Sequence, residues 1–153
     1  MTRLILLAAL AATAAAGLAA GAYVRLAPMD PAVWHVDPER AVPDGRPNSW
    51  LVAAGGDAAP IASPETPEAT LARLDAAAMA EPGTERLAGS PEAGLVTWVQ
   101  RSRLMGFPDA VSARAVADGA GSRLTIWSRS RFGHSDMGVN RARVERWLAS
   151  AGF

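Results

Sequence analysis

The amino-acid sequence predicts an α+β fold, in which a small antiparallel sheet with two packed helices follows one N-terminal transmembrane helix. Three observations support this prediction. The first 26 residues contain a long uncharged apolar run, two later segments show helical periodicity, and three consecutive segments alternate as strands do. The chain has 153 residues, so residues 27–153 are long enough for one domain with a modest core.

The apolar run extends from Leu4 to Val24 without a charged residue. As a helix that rises about 1.5 Å per residue, it spans roughly the 30 Å hydrocarbon layer. Arg3 precedes the run, and the positive-inside rule then favours a cytoplasmic N-terminus. We therefore expect residues 1–26 to form a membrane anchor and residues 27–153 to form the extracytoplasmic domain of a bacterial single-pass inner-membrane protein.

Two alternatives for this segment stay open. The small residues Ala20-Gly21-Ala22 fit a signal-peptide cleavage site, and cleavage near Ala22 would secrete the domain from Tyr23 onward. Arg25 on the far side of the run reduces the charge asymmetry, so a cytoplasmic domain is the second alternative.

The composition excludes several kinds of functional site. The chain has no Cys, which excludes disulfide scaffolds, thiolate metal sites and Cys nucleophiles. It has two His, His35 and His134, so no His-built metal centre and no cofactor are expected. His35 lies near Asp37 and Glu39, where we expect a solvated surface. The net charge is zero, which argues against a general nucleic-acid binder.

Charge is unevenly distributed along the chain. Residues 27–96 carry eleven acidic residues and four Arg, a net charge of −7, whereas residues 97–153 carry four acidic residues and nine Arg, a net charge of +5. Either the two halves fold against each other and compensate, or the C-terminal half presents an Arg-rich surface to an anion. All the basic residues are Arg, and each offers a planar fork that binds oxyanions in a bidentate way.

The predicted elements of the domain begin with an extended lead-in over residues 27–67, because its eight Pro residues prevent a helix of useful length. The apolar run Asn48–Ala54 within it predicts a strand. Trp34 and Trp50 are expected to pin the lead-in to the domain by packing.

A helix is predicted to begin after Thr66, which can cap it, and to end at Glu81-Pro82-Gly83. Its apolar stripe, at helical spacing, consists of Leu71, Leu74 and Ala78.

Three strands are predicted over residues 95–104, 109–117 and 123–131, as an antiparallel meander within a sheet of three to five strands. The turn Asp118–Ser122 joins the last two strands. On one face of the last strand lie Leu124, Ile126, Ser128 and Ser130, and on the other face lie Thr125, Trp127, Arg129 and Arg131.

The last helix is predicted to begin near Ser135 or Asp136, either of which can cap it. We expect Arg143 and Arg146 on its solvent side. Its buried stripe is predicted to consist of Met137, Arg141, Val144 and Leu148, with Trp147 beside them.

The segment Ile126–Arg141 is the most distinctive part of the chain. With the residues just after it, it resembles the hallmark S-R-S-R-x-G-x-S-D-x-G-x-N-R-x-R-V-E of a family of domains of unknown function, number fourteen ninety-nine. The resemblance extends more loosely over residues 27–150, and this chain has Ser49 where many members have Cys. It implies a small domain, often membrane-tethered or exported, and no particular reaction. The matching residues are Ser128, Arg129, Ser130, Arg131, Gly133, Ser135, Asp136, Gly138, Asn140, Arg141, Arg143, Val144 and Glu145.

Two interpretations of this segment stay open. In the first, Asp136 accepts the guanidinium groups of Arg131 and Arg141, while Ser135 and Asn140 bond backbone groups, so that a strand–turn–helix corner is locked. In the second, the first amides of the helix and three Arg residues surround a bound anion. Those three are Arg129, Arg131 and Arg141. His134-Ser135-Asp136 is not a hydrolase triad, because three consecutive residues do not form the two hydrogen bonds that a triad needs.

The leading functional hypothesis is a non-catalytic, membrane-tethered extracytoplasmic module. Its Arg-rich C-terminal half would bind a protein partner, a lipid head group or an anionic small molecule, and no nucleic acid. One alternative is a small enzyme in which Glu65, Glu81 and Glu85 face the Arg cluster. Another is a structural assembly protein that self-associates through Gly17 and Gly21 of the membrane helix.

Overall fold

A six-stranded antiparallel sheet organises the domain in the computed structural model, which describes residues 2–153. The strands are β1 (Ser49–Val52), β2 (Ile61–Ser63), β3 (Thr84–Ser90), β4 (Leu95–Arg101), β5 (Pro108–Asp118) and β6 (Gly121–Ser130). The helices are α1 (Thr2–Leu26), α2 (Pro31–Trp34), α3 (Pro67–Ala80) and α4 (Val139–Ala151), with a 3-10 turn at Pro38–Arg40. The strand order is β1-β6-β5-β4-β3, and β2 pairs with β6 further along the edge that β1 occupies.

The predicted α+β class is confirmed, and the predicted meander is formed by β4, β5 and β6. The sheet has more strands than expected, because the sequence signal of β2 and β3 is weak. The three residues of β2 are too few to show alternation. The edge strand β3 leaves most of its side chains exposed or half-exposed, so it carries no apolar pattern.

The N-terminal helix α1 is long and apolar enough to cross a membrane, and none of its most apolar stretch is buried against the domain. This agrees with either a membrane anchor or a signal sequence. Its carboxyl end is fastened to the domain, because Arg101 donates hydrogen bonds to the carbonyl oxygens of Arg25 (2.9 Å) and Ala27 (3.1 Å). Ala27 itself is buried. The chain therefore passes from α1 into the domain without a free linker.

One face of the sheet is covered by α3 and α4. As predicted, the Thr66 hydroxyl caps α3 by accepting from the Ala69 amide (3.3 Å). Trp98 of β4 packs edge-to-face on Trp147 of α4, with ring centroids 5.6 Å apart. The buried core lies between these layers and includes Val52, Leu71, Leu74, Ala78, Val96, Val111, Leu124, Ile126 and Val144.

The buried face of α4 differs from the predicted stripe. Met137 lies in the turn before the helix and is 93% exposed, and Arg141 is exposed as well. The predicted solvent position of Arg143 is wrong, because its side chain is buried. The residues that α4 buries are Asn140, Arg143, Val144, Trp147 and Ala151. Asn140 and Arg143 can be buried because they have polar partners on the sheet. The hydrophobic pattern of the helix does not predict such partners.

The lead-in covers the opposite face of the sheet. Trp34 and His35 lie over β4, β5 and β6, and a hydrogen bond of 2.9 Å joins His35 Nδ1 to Thr97 Oγ1. The interpretation of His35 as a solvated surface residue is therefore wrong. Two ion pairs tie the acidic lead-in to the basic sheet, Asp37 with Arg114 (3.3 Å) and Glu39 with Arg123 (2.8 Å). Part of the charge asymmetry is compensated in this way.

One end of the sheet adjoins the end of α1. The loop 102–107 between β4 and β5 lies there, because Gly106 contacts the side chain of Arg25. The turn 131–138 lies at the same end, because Ser130 at the end of β6 pairs with Asp109 at the start of β5. We refer to this end as the α1 end. The β5–β6 turn at residues 119–120 lies at the opposite end.

Gly45 and Gly89 allow a test of close backbone packing, since both have left-handed backbones, with φ of 79° and 76°. A Cβ at Gly89 would lie 2.0 Å from the Leu95 carbonyl oxygen, whereas a Cβ at Gly45 meets nothing within 4 Å. Gly45→Ala should lower the free energy of unfolding by about 1–2 kcal/mol. Gly89→Ala should cost about 1–3 kcal/mol more, because the backbone must also move. Urea unfolding of the full chain in detergent micelles measures both, and equal losses would contradict the close packing at Gly89.

Candidate functional site

Helix α4 begins at Val139 with Gly138 as its N-cap residue, later than the predicted start near Ser135 or Asp136. Asp136 nevertheless supplies acceptors to this end of the helix. Its carboxylate accepts hydrogen bonds from the amides of Gly138 (3.0 Å) and Asn140 (2.7 Å) and from the Asn140 side chain (2.7 Å). It therefore occupies the positive end of the helix dipole, where a bound anion was one expectation. Among the described residues neither Arg131 nor Arg141 lies within ion-pair distance of Asp136, so the predicted Arg–Asp–Arg arrangement is wrong. A short side chain at the helix start reaches the adjacent amides most directly.

Asn140 connects three parts of the fold. Its amide nitrogen donates to the carbonyl oxygen of Asn48 (3.0 Å) and to Ser130 Oγ (2.9 Å), and its oxygen accepts from Ser128 Oγ (2.6 Å). Asn140 is fully buried. It thereby joins α4 to β6 and to the residue that precedes β1.

Arg143 lies at the centre of a buried polar cluster between α4 and the sheet. It donates to Asp109 Oδ2 (2.6 Å), Gln100 Oε1 (3.0 Å), Ser128 Oγ (3.0 Å) and Asn140 Oδ1 (2.8 Å). Burial raises the pKa of Asp109 above its ordinary value, although Arg143 opposes that effect. The arrangement is a locked strand–turn–helix corner, held by a different acid–Arg pair from the one expected.

We expect Arg143→Met to lower the free energy of unfolding by about 3–5 kcal/mol, because it leaves the Asp109 carboxylate buried without its cation. The double variant Arg143→Met/Asp109→Leu should recover much of this loss, since neither charge then remains. Denaturant unfolding of the wild type, both single variants and the double variant completes a double-mutant cycle. Additive losses would show that the two side chains are not coupled.

The three Arg residues of the predicted anion cradle do not converge. Arg141 is exposed, pairs with Glu145 (2.7 Å) and lies over the Trp50 ring, 4.9 Å from its centroid. Arg131 lies beside the Met29 sulfur (3.7 Å), at the α1 end. The cradle as predicted is therefore not formed, and Ser135 only accepts from the Met137 amide (3.3 Å).

Arg129 is buried on the opposite face of the sheet from α4, with 7% of its surface exposed. Its guanidinium carbon lies 4.0 Å from the centroid of Trp127 and 5.3 Å from that of Trp34. It donates to the Trp34 carbonyl oxygen (2.6 Å) and weakly to Ser112 Oγ (3.5 Å). Within residues 2–153, no carboxylate makes an ion pair with it. Burial lowers the pKa of Arg129 to about 10, so it still carries its charge at neutral pH.

A cavity of about 230 Å³ lies beside Arg129. The indole Nε1 of Trp127 is buried and has no hydrogen-bond partner in the described part of the chain. Asp44 and Arg46 also line the cavity, where they are paired with each other. The polar and aromatic residues that line it include Trp34, Asn48, Ser49, Trp127, Arg129 and Ser130. The residues that line this one small cavity thus include Arg129, a cation without a carboxylate partner in the described chain, and Trp127, whose N–H donor is unused.

A second, wider groove of about 740 Å³ lies between α3 and α4 and includes Arg73, Arg103 and Arg146. Its acid, Glu81, is already engaged, because it accepts from Arg146 Nη2 (2.8 Å) and from the Trp147 indole. The other acids of the enzyme hypothesis lie apart from it: Glu65 is beside Arg73 (3.3 Å), and Glu85 is exposed on β3. The three acids therefore do not share one site with an Arg cluster.

Trp127 and Arg129 share one face of the predicted strand, and this alternation is the sequence signal for their contact. The approach of Trp34 has no such signal, because that residue lies 95 positions away in the chain. Asp109 and Gln100, the partners of Arg143, were likewise not predicted from the sequence. In the described residues no group of three or more His, Asp or Glu forms a metal site.

The fold and the site define a small α+β domain that follows a helix able to span a membrane. The family model described as Protein of unknown function (DUF1499) matches residues 31–150, and the chain belongs to this family. The match includes the whole sheet, helix α3, all but the last residue of α4 and nearly all of the lead-in. No curated protein and no solved structure matches the chain.

Proposed function

We propose that this protein is a membrane-tethered extracytoplasmic binding module without a catalytic role, and that it holds a small anionic ligand at Arg129. The observation that carries the proposal is a buried guanidinium group that has two aromatic neighbours, an adjacent cavity and no carboxylate partner among residues 2–153. Arg129 was one of the residues that the sequence indicated.

The physical argument concerns the cost of burying a charge. An unpaired buried cation destabilises a fold, and buried charges in proteins are normally paired. Arg143 follows that rule, whereas Arg129 has only a carbonyl and a hydroxyl oxygen as acceptors. Three of the five guanidinium N–H groups remain available, and a carboxylate or phosphate oxygen would accept them. Such a ligand would restore the charge balance.

The cavity limits the size of the ligand. Its volume of about 230 Å³ is below the roughly 300–1,000 Å³ of typical small-molecule sites. The ligand is therefore a small carboxylate or phosphate compound, or it inserts only its anionic group. Trp34 and Trp127 supply flat walls beside the charge.

The binding test uses the full chain in detergent micelles, with sodium phosphate and sodium acetate as probes against sodium chloride at equal ionic strength. A probe that binds only the folded state raises the free energy of unfolding by about 2.7 kcal/mol when its free concentration is a hundred times its Kd. We expect phosphate, acetate or both to raise the Tm of the wild type and to change its Trp fluorescence. Arg129→Met should remove the response.

The matched control is Arg123→Met, which alters the same face of β6 at a residue that is paired with Glu39. It should keep the anion response. The proposal is wrong if Arg129→Met responds to the probes as the wild type does. In chloride alone, Arg129→Met should retain the stability of the wild type or exceed it, because the variant removes an unpaired buried charge.

The tether and its orientation are tested separately. A chain with alkaline phosphatase fused after Phe153 should be active in cells, because the positive-inside rule places the domain outside the cytoplasm. The control fusion begins at Ala27 and lacks α1, so its phosphatase should stay inactive. N-terminal sequencing of the exported protein distinguishes an intact anchor from cleavage near Ala22. A phosphatase that is inactive in both fusions would contradict the proposed topology.

A further inference from the structure

We propose that the α1 end of the domain lies on the surface of the membrane that α1 enters, and that it contacts anionic phospholipid head groups. The contact surface consists of the loop 102–107 and the segment 131–139, and we call it the lipid-facing surface. This inference rests on the proposed membrane tether, and it goes beyond ligand binding at Arg129 because it concerns other residues and a different partner.

The first support is position. The Tyr23 ring in the last turns of α1 packs on Phe132, with centroids 6.1 Å apart, and Phe132 packs on Phe107 at 6.2 Å. Arg101 fastens the carbonyl groups at the helix end to the domain. If residues 4–24 lie in the hydrocarbon layer, these aromatic rings lie at the depth of the head groups, where Tyr is commonly found. No free linker separates this surface from the bilayer.

The second support is apolar exposure. Leu104 is 85% exposed and Met137 is 93% exposed, although both are large apolar side chains. Eight large apolar residues of the described domain are exposed, and five of them belong to the two segments of this surface. These five are Leu104, Met105, Phe107, Met137 and Val139. Exposed apolar groups that gather at one end of a domain mark contact sites, and the attachment of α1 at this end indicates lipid.

The backbone of Met137 adds to this observation. Its φ of 54° makes it the only non-glycine residue with a left-handed backbone in the described chain. Such a conformation is uncommon for a residue with a side chain. Here it presents an apolar side chain outward rather than toward the core.

The third support is charge. Eight Arg residues of the described chain form ion pairs with carboxylates. Arg25, Arg103 and Arg131 lie at the α1 end and form none. Two acids at this end are used internally, since Asp109 binds Arg143 and the Asp136 carboxylate accepts from the Asn140 amide at the start of α4. Unpaired cations beside exposed apolar groups fit a surface of anionic phospholipids.

The depth of these residues can be measured directly, because the chain has no Cys. Nitroxide labels are attached to Leu104→Cys and Met137→Cys in the full chain, reconstituted as one copy per nanodisc of phosphatidylethanolamine and phosphatidylglycerol. The control is Ala120→Cys, an exposed residue in the turn at the opposite end of the sheet. Electron paramagnetic resonance then compares collisions of each label with oxygen and with a water-soluble nickel chelate.

We expect the labels at residues 104 and 137 to collide several-fold less with the nickel chelate than the label at residue 120. Equal accessibility of the labels to the nickel chelate at all three positions would overturn the proposal. Protection that appears only when a nanodisc holds two copies would also overturn it, in favour of an interface between chains.

The head-group charge is tested with the Leu104→Cys label and the double substitution Arg103→Glu/Arg131→Glu. Charge reversal, or replacement of phosphatidylglycerol by phosphatidylcholine, should raise nickel access at residue 104. Arg123→Glu, on the far part of β6, is the matched control and should leave it unchanged. If neither change alters access, the anionic head groups are not recognised. Thermal unfolding of each variant verifies that the domain remains folded.

Discussion

Arg143 of α4 and Asp109 of β5 form a buried ion pair between the helix and the sheet. The cation is buried at a helix–sheet boundary, so it needs a carboxylate and several neutral acceptors in fixed positions. Those acceptors come from β4, β5, β6 and α4, and the pair therefore fixes the rotation of α4 about its axis. Asn140, one turn earlier, extends the same cluster to the start of β1. A hydrophobic face alone would hold α4 on the sheet without selecting one rotation.

The two faces of the sheet use buried Arg residues in opposite ways. On the helical face, Arg143 is surrounded by acceptors and the polar cluster is closed. On the lead-in face, Arg129 lies against the rings of two Trp residues and forms no ion pair with a carboxylate of the described chain. The first arrangement fixes how α4 is oriented on the sheet, and the second is where a ligand would complete the charge balance. The family hallmark contains both residues, so this one stretch of sequence serves both the corner and the candidate site.

The domain also differs between its two ends. At the α1 end, the chain enters directly from α1, apolar side chains are exposed, and several Arg residues lack carboxylate partners. Toward the other end, Arg114 and Arg123 pair with lead-in acids. Arg129 is one residue from the end of β6, so the cavity lies toward the α1 end as well. A rigid attachment of the domain to α1 would thus hold the cavity near the bilayer.

Local periodicity and short-range hydrogen bonds are enough to predict the apolar helix, the α3 cap and stripe, and the meander of β4 to β6 with its tight turn. The hallmark segment also points to Arg129 and Asn140. The face that α4 buries, the direction of the Asp136 carboxylate and the pairing of the Arg residues depend instead on contacts between distant parts of the chain. Arg143 meets an acid 34 residues away, and Arg129 meets a Trp 95 residues away. The partner of a buried charge can lie anywhere in the fold, so the periodicity of a local segment does not predict it.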